Sequence, residues 1–383
     1  MPEQELPKSL RVFESVEDPR RVHATTLHNL TDIISITIMA TLCGASNWVE
    51  IELWAKSKQG WLETVLPLPH GIPSHDTVSR VFALLDPNQM LESFAQWTSE
   101  LAEHIQGVVA LDGKAVRRSM ANADGRGPIH VVSAFAVESS LVLAQMKVAD
   151  KSNEIVVLPQ IIRMLDLQDC VVTVDAMGCQ VEVAKAAQEQ HGDYMLHIKD
   201  NQPTLHADAQ QLFNWALAPS LPLDQRVQWV EFQSLDGGHG RIEGRRCVGI
   251  EDLDGIETVQ RWPGLRSLWM IESERTVGTE TTIEHRYYLS SLPASTTEHA
   301  ARANQTIRTH WGIENRVHWI LDVAMDEDIN RARVGHSAQN LSLMRKVALN
   351  LLRRDKKSQG GVQARQKRAG WDHDYLLALL ALG

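Results

Sequence analysis

The stretch Gly107-Val-Val-Ala-Leu-Asp112 is a short apolar run that ends in a carboxylate, and Cys170-Val-Val-Thr-Val-Asp175 repeats the arrangement further along the chain. Apolar runs of this length between turn residues are typical of buried β-strands. The surrounding pattern predicts three strands in meander order (108–111, 129–137, 141–148), a helix (154–165), a fourth strand (170–174), a second helix (181–190) and a fifth strand (194–198). This order indicates an α/β fold, a mixed five-stranded sheet with helices on its faces.

The regions on either side of this sheet have different patterns. Residues 1–105 are predicted to form a helical N-terminal region, in which Thr31 caps a buried helix that stops at Gly44, and Ser74 caps a helix over 77–85. Strand-like runs and glycine-rich turns indicate a β-rich insertion over 203–290, with a helical segment near its start. Helices are predicted again over 298–321 and along the apolar stripe from Leu341 to Leu352. The expected domains are therefore the N-terminal region, an α/β core (106–202 and 291–345), the insertion and a basic segment (346–383).

Composition excludes several classes of protein. With 383 residues, 43% of them hydrophobic, the chain can bury a large core, so disorder is excluded as the main state. The longest apolar stretch, 33–43, is well short of the roughly 20 residues that cross a bilayer. The four cysteines form no CxxC pair, and the N-terminus has no secretory signal. These features predict a cytoplasmic protein without a membrane partner.

Charge is distributed unevenly along the chain. The formal net charge is −10, so a nucleic acid would have to be bound by a local basic surface. Residues 345–368 contain nine basic side chains and a single acid, Asp355. This segment is either a solvated helix face with a loose tail or a surface that contacts phosphates.

Carboxylates mark a candidate metal site. Asp112 and Asp175 each follow a buried strand, an arrangement that suits Mg²⁺ because this ion prefers oxygen ligands; the alternative is a pair of acids in strand-terminal turns. Glu314 lies between His310 and His318 at a spacing of four residues, which predicts one polar helix stripe that faces a cleft. The stripe could also hold zinc, although it lacks the His-Glu-x-x-His spacing of zinc hydrolases.

A second acidic group follows this stripe. Asp322, Asp326, Glu327 and Asp328 could form a calcium loop, but no glycine stands at the turn position that such a loop needs. A solvated acidic helix end is the favoured interpretation.

Several short strings together resemble a known family. They are Ala110-Leu-Asp-Gly-Lys114, His130-Val-Val-Ser-Ala-Phe135, Lys151-Ser-Asn-Glu-Ile155, Thr173-Val-Asp-Ala-Met-Gly-Cys-Gln180, Gly192-Asp-Tyr194, His239-Gly-Arg241, Arg286-Tyr-Tyr-Leu-Ser-Ser291 and His310-Trp-Gly-Ile-Glu-Asn315, with Gly71 to Val81 nearer the N-terminus. In this order they resemble the H-repeat-associated family of bacterial insertion-sequence transposases, the DDE enzymes found beside Rhs elements. The resemblance runs from about residue 10 to the C-terminus.

The resemblance implies a ribonuclease-H-like catalytic core and a two-metal mechanism. Asp112, Asp175 and Glu314 would be the catalytic carboxylates and would bind two Mg²⁺ ions, for which Mn²⁺ substitutes, with Asp112 bridging the pair. The expected activity is DNA strand cleavage and strand transfer at the ends of an insertion sequence. The expected partners are double-stranded DNA, as transposon ends and as target, and a second copy of the chain. Two alternatives are a domesticated endonuclease that promotes recombination at Rhs loci and a non-catalytic DNA-binding remnant.

DNA contacts are expected from four parts of the chain, the N-terminal region, the segment around Glu314, the loop after the fifth strand and the basic C-terminal segment. Transposon ends would be recognised by the helical N-terminal region. Relatives carry Tyr, Arg and Lys around the glutamate where this chain has Ile307, His310 and Leu321, so phosphate contacts are expected from Arg308 and Arg316 instead. The loop after the fifth strand departs from the usual Lys-Gly-Asn-Gln at Asp200. The full set of predicted DNA-binding residues is Lys199, Asn201, Gln202, Arg308, His310, Trp311, Arg316, Arg353, Arg354, Lys356 and Lys357.

Overall fold

A computed structural model of the chain describes residues 6–21, 26–102, 104–119, 127–148, 154–218, 227–238, 241–277 and 279–383. Two of the strings quoted above therefore lie partly outside the described residues, at 151–153 and at 239–240. Within the described ranges, no helix combines the length and the apolar character that crossing a bilayer requires.

The helices and strands alternate in the order that the sequence pattern predicts for the core. The strands are β1 (Gly107–Val116), β2 (Ile129–Ala136), β3 (Leu141–Val148), β4 (Cys170–Val174), β5 (Asp193–Ile198), β6 (Trp229–Gly238), β7 (Arg241–Ile250), β8 (Ser267–Val277) and β9 (Glu280–Ser290). The helices are α1 (Lys8–Arg11), α2 (Leu30–Leu42), α3 (Trp48–Ser57), α4 (Gln59–Leu62), α5 (His75–Leu84), α6 (Pro87–Leu101), α7 (Glu154–Arg163), α8 (Val181–Glu189), α9 (Pro203–Ala216), α10 (Thr297–His310), α11 (Trp319–Val323), α12 (Ser337–Arg354), α13 (Val362–Trp371) and α14 (His373–Leu380).

One mixed sheet contains all nine of these strands, in the order β3-β2-β1-β4-β5-β9-β8-β7-β6. β1, β2 and β3 form the predicted antiparallel meander, and β1, β4 and β5 are parallel. The prediction of five strands is wrong in number, because β9 pairs antiparallel with β5 and brings the insertion into the same sheet. Without β9, the edge of β5 would leave its backbone groups unpaired.

The sheet is buried on both faces, which explains the continuous apolar run of β1. Val109 and Leu111 pack toward α7 and α8, whereas Val108 and Ala110 pack toward the helices of the opposite face. Side chains alternate along a strand, so Asp112 points to the same face as Val108 and Ala110. The same alternation in β4 points Thr173 and Asp175 toward the face covered by α10, against which Val171 packs.

The flanking helices correct two predictions and confirm a third. α2 begins at Leu30 after Asn29, so Thr31 is not its cap, although Gly44 follows it with a positive φ of 93°. Ser74 caps α5 as predicted, accepting a hydrogen bond from the backbone N–H of Thr77. The C-terminal segment is not a loose tail, because α13 and α14 pack into the core that α2, α5 and α12 share.

Candidate active site

Asp112 lies within β1, where this strand separates from β4. The last residue of β1 that pairs with β4 is Leu111, and from Asp112 onward β1 continues to Val116 paired only with β2, so the predicted strand end at 111 is too early. Oδ1 of Asp112 accepts a hydrogen bond from the backbone N–H of Gly113 at 2.9 Å. Nδ1 of His318 lies 3.4 Å from Oδ2. The carboxylate is therefore fixed at the edge of a gap between two strands.

Asp175 directly follows β4 and caps a single 3₁₀ turn over 176–178. Its Oδ1 accepts from the backbone N–H of Gly178 at 3.2 Å, and the residue is exposed. The loop is tied down from the segment after β5: Asn201 donates to the carbonyl of Ala176 at 2.6 Å, and Gln202 donates to the carbonyl of Cys179 at 2.9 Å. Asn201 and Gln202 thus hold the loop of Asp175.

Glu314 begins a π-helical turn, Glu314–His318, where the sequence predicts an uninterrupted α-helix over 298–321. The backbone N–H of Trp319 bonds to the carbonyl of Glu314, five residues back. A π turn adds a residue to the helical circuit and often marks a functional position. It also changes the angular spacing, so that His310 and Glu314 line the cleft while His318 is buried beside Asp112. The three residues His310, Glu314 and His318 therefore do not form the single cleft-facing stripe that the sequence predicts.

The three carboxylates line a common cleft of about 410 Å³. Burial, together with the neighbouring charges of Asp175 and Glu314, raises the pKa of Asp112 to about 7. Other side chains of the cleft come from β5, β9 and α10, among them His197, Lys199, Arg286, Tyr288, His310 and Trp311. The cleft thus combines the three carboxylates and the further acids Asp200 and Glu284 with basic and aromatic groups.

The donor set fits a hard divalent cation in kind. Mg²⁺ and Mn²⁺ prefer carboxylate oxygen ligands. A bound divalent ion would also relieve the repulsion of the Asp112 carboxylate by Asp175 and Glu314. As the side chains are placed, no three His, Cys, Asp or Glu residues of the described ranges are close enough to hold a metal. The three carboxylates line an open cleft and are not close enough together to coordinate one ion. The zinc stripe and the calcium loop considered above are likewise not formed.

Two histidines of the cleft are uncharged near neutral pH. Burial lowers the pKa of His310 to about 4, against the opposing charge of Asp175, and His310 Nδ1 lies 3.0 Å from Oγ1 of Thr173. Burial also lowers the pKa of His197 to about 4, helped by Arg286 and Lys199, and its ring stacks on Tyr288 with centroids 4.9 Å apart. The positive charge of the cleft therefore comes from lysine and arginine.

Comparison with known proteins identifies the family. The family model described as "Transposase DDE domain" matches residues 103–351, and the model "DDE_Tnp_1-associated" matches residues 10–98. The H repeat-associated protein YhhI of Escherichia coli strain K12 is 34% identical over 98% of both chains. This chain belongs to the H-repeat-associated family of DDE transposases. The family resemblance predicted from the sequence is thus confirmed.

Further relatives of this transposase family extend over most of the chain. YncI of Escherichia coli O157:H7 is 35% identical and covers 98% of this chain and 95% of its own length. Among solved structures, a piggyBac transposase synaptic complex with hairpin DNA matches with a TM-score of 0.44 at 11% identity, over 98% of this chain and 80% of that one. This last likeness is too distant to carry an argument about the transposase described here.

The predicted DNA-binding residues around the cleft are in different situations. Lys199 is exposed on the cleft wall, and Trp311 is 49% exposed beside it. Arg308 forms an ion pair with Asp236, and Arg316 donates to the carbonyl of Val137 at 3.2 Å. Lys199 and Trp311 are thus open to a ligand, whereas both arginines already have partners.

The basic C-terminal residues are mostly engaged within the protein. Arg345 and Lys346 are buried in α12, Arg353 lies over the ring of Phe135, and Arg354 donates to the carbonyl of Leu101. Lys356 and Lys357 are exposed after the end of α12. A continuous basic surface over 345–368 is therefore not formed, because half-buried helix positions direct several of its cations inward.

An internal charge cluster was missed by the sequence reasoning. Lys114 pairs with Asp322, with Glu327 at 2.7 Å and with Asp328 at 3.6 Å. Glu327 is 1% exposed, so the predicted solvated acidic helix end is wrong. A signal was present in the sequence: Lys114 follows Asp112 by two residues in β1 and therefore points to the same buried face.

Proposed function

We propose that this protein is a transposase that cleaves DNA strands and joins them to target DNA, with divalent metal ions held by Asp112, Asp175 and Glu314. The observation that supports it best is that these three residues, on two parallel strands and a π turn, line one cleft within the segment matched by the transposase domain. The β1–β5 arrangement supports a ribonuclease-H-like core for this chemistry. Mg²⁺ is the expected ion, with Mn²⁺ as a substitute.

The chain prepares the site before DNA arrives. The hydrogen bond from Gly113 orients Asp112, and the Asn201 and Gln202 amides hold the loop that carries Asp175. When bound, the metal ions would activate the attacking hydroxyl and stabilise the leaving oxygen. The neutral His310 adds no positive charge to the cleft. Rigid placement of this kind lowers the barrier because little reorganisation is needed during the reaction.

DNA would lie along the wall formed by β5, β9 and α10. The exposed Lys199 and Trp311 offer a cation for a phosphate and a ring on which a base can stack. Lys356 and Lys357 offer sequence-independent phosphate contacts, and the N-terminal helices would recognise the transposon ends. From the family resemblance we infer that two copies act together on paired ends.

The test is Mg²⁺-dependent cleavage of a plasmid that carries this coding region with its natural flanking DNA. Asp112→Asn, Asp175→Asn and Glu314→Gln should each lower cleavage at least 1,000-fold, on the order of 4 kcal/mol in the barrier, while DNA binding persists. Glu274→Gln, which removes the same charge from an exposed site on β8, is the matched control and should cleave normally.

The outcomes separate the alternatives. Joined products in the same reaction support a transposase, whereas cleavage without joining points to a domesticated endonuclease. Normal cleavage by any of the three carboxylate variants contradicts the assignment. A wild-type protein that binds DNA and never cleaves it points to a non-catalytic remnant.

A further inference from the structure

Three arginines converge on the sheet face beside the cleft. Arg245 of β7 pairs with Ser273 of β8, which in turn pairs with Glu284 of β9, so these residues share one face. Arg286 is two residues beyond Glu284 in β9 and therefore points to that face as well. The third arginine, Arg308, reaches the same face from α10 by pairing with Asp236 of β6.

Arg245 has a buried donor without a partner among the described residues. Its Nε atom is buried and makes no hydrogen bond to any part of the chain that the structure describes. Oγ of Ser234, on the residue that pairs with Arg245 across β6 and β7, is likewise buried and unbonded. Burial lowers the pKa of Arg245, and the charges of Arg308 and Arg286 lower it further. Burying a guanidinium beside two others costs folding free energy unless an anion neutralises its charge.

The other two arginines are held by exposed carboxylates. Arg286 donates two hydrogen bonds to Glu284, from Nε and from Nη2, each at 2.9 Å, and the Glu284 side chain is 60% exposed. Asp236, the partner of Arg308, is 54% exposed. Water reaches both carboxylates and screens these ion pairs, so a phosphate, which accepts the same two parallel hydrogen bonds from a guanidinium, can take their place. Arg286 also lies 6.0 Å from the ring centroid of Trp311 and lines the cleft with Asp175 and Glu314.

We propose that Arg245, Arg286 and Arg308 form a phosphate-binding subsite that grips the backbone of the DNA strand entering the carboxylate cleft. The proposal deepens the proposed function, on which it rests, and assigns a role to the strands of the insertion. Arg245 supplies the fixed charge, and Arg286 and Arg308 exchange their carboxylate partners for phosphate oxygens. Guanidinium groups suit this task because they bind phosphate oxygens with two parallel hydrogen bonds.

The test measures the affinity for a 30-base-pair duplex of arbitrary sequence as a function of salt, without divalent ions. Arg245→Gln and Arg286→Gln should each weaken binding about tenfold at moderate salt and reduce the slope of log affinity against log salt by about 0.9. Arg266→Gln is the matched control, since Arg266 pairs with Glu251 at 3.0 Å at the opposite end of the sheet. The control should leave the slope unchanged.

A stability measurement excludes a merely structural role for Arg245. Removal of an unpaired, half-buried charge should raise the melting temperature of Arg245→Gln above that of wild type, in the same variant that binds DNA less well. If Arg245→Gln instead melts earlier and keeps the wild-type slope, the residue is structural and the proposal is wrong. Arg286→Gln, on a more exposed side chain, provides the same binding test independently of any folding defect in Arg245→Gln.

Release of the competing carboxylate provides the converse test. Glu284→Gln frees Arg286 and should tighten DNA binding severalfold more than Glu251→Gln, which changes net charge equally. Equal effects of the two substitutions on DNA affinity would contradict the proposal that a phosphate replaces Glu284 at Arg286. Failure of the wild type to bind the duplex would overturn the proposed function itself, whereas wild-type binding with unchanged slopes in both arginine variants would overturn the subsite alone.

Discussion

Asp112 lies within β1, Asp175 directly follows the neighbouring strand β4, and the two carboxylates differ in their surroundings. Asp175 is exposed at the end of β4, whereas Asp112 is partly enclosed and faces two other carboxylates. The strand-end pattern in the sequence is correct for Asp175, which follows β4, but it ends β1 at Leu111, whereas the strand continues through Asp112 to Val116. Burial and charge at each position depend on α10 and the π turn, more than 100 residues away, so the sequence pattern could not distinguish them.

The charge on Asp112 should make the metal-free protein less stable at higher pH. Its folded-state pKa of about 7 lies above the ordinary value of 3.8, so the folded protein holds this proton more tightly than the unfolded chain. The stabilisation is complete below pH 4 and is lost as pH rises through 7. Asp112→Asn removes this loss, and its melting temperature in chelator should exceed that of wild type at pH 8 and match it near pH 4.

The measurement is thermal unfolding of both proteins over this pH range. Glu274→Gln serves as the control, because it removes an exposed carboxylate and should follow the wild-type curve. An Asp112→Asn variant that is less stable than wild type at pH 8 would show that this carboxylate is not strained by its neighbours.

At the scale of elements, β1 connects the carboxylate cleft to α12. Lys114 meets Glu327, and Glu327 accepts from Ser342 of α12 at 2.8 Å, beside Lys346. Burial alone would raise the pKa of Glu327, but Lys346, Lys114 and Arg345 outweigh it and hold the pKa near 2. The cluster therefore fixes β1 and α12 relative to each other through buried charge.

Glu327→Gln should destabilise the fold strongly. The substitution leaves Lys346 and Lys114 buried without their main counter-charge, which costs about 3–5 kcal/mol when a buried pair is broken. Glu274→Gln is the matched control, because it makes the same substitution at an exposed position on β8, and the expected change is below about 0.5 kcal/mol. Urea unfolding at pH 7 measures both, and equal midpoints for Glu327→Gln and wild type would contradict this account.

The elements themselves were predictable to different degrees. β3 and β4 begin and end where the sequence pattern placed them, since each is a compact apolar run between turn residues. The pairing of β9 with β5 was not predictable, because strand patterns specify faces and not neighbours. The π turn was also hidden, because one extra residue barely changes the apolar spacing of the helix around it.

At the scale of the whole molecule, the two ends of the chain share one core. Leu10 near the N-terminus and Leu376 and Leu380 of α14 belong to the same buried cluster as α2 and α12. Tyr375 donates to Asp355 at 2.6 Å, which joins α14 to the end of α12. The predicted boundaries near 105 and 346 remain predictions, and the structure shows packing across both.

Removal of the C-terminal segment should therefore unfold the protein instead of only weakening DNA binding. A chain ending at residue 358 loses α13 and α14. The core residues that pack against Leu376, Leu379 and Leu380 then become exposed. It should show no cooperative melting transition by circular dichroism. The double substitution of Lys356 and Lys357 by glutamine should keep the wild-type transition while lowering the salt slope of DNA binding by up to about 1.8. A truncated chain that melts like wild type would contradict the shared core.

The central claim is that Asp112, Asp175 and Glu314 jointly hold the divalent ions that act on DNA. Anomalous diffraction from crystals grown with Mn²⁺ and duplex DNA tests it most directly. The account predicts anomalous peaks in the cleft, coordinated by Asp112 together with Asp175 or Glu314 and absent from Asp112→Asn crystals. Mn²⁺ bound elsewhere, with this cleft free of peaks in the presence of DNA, would contradict it.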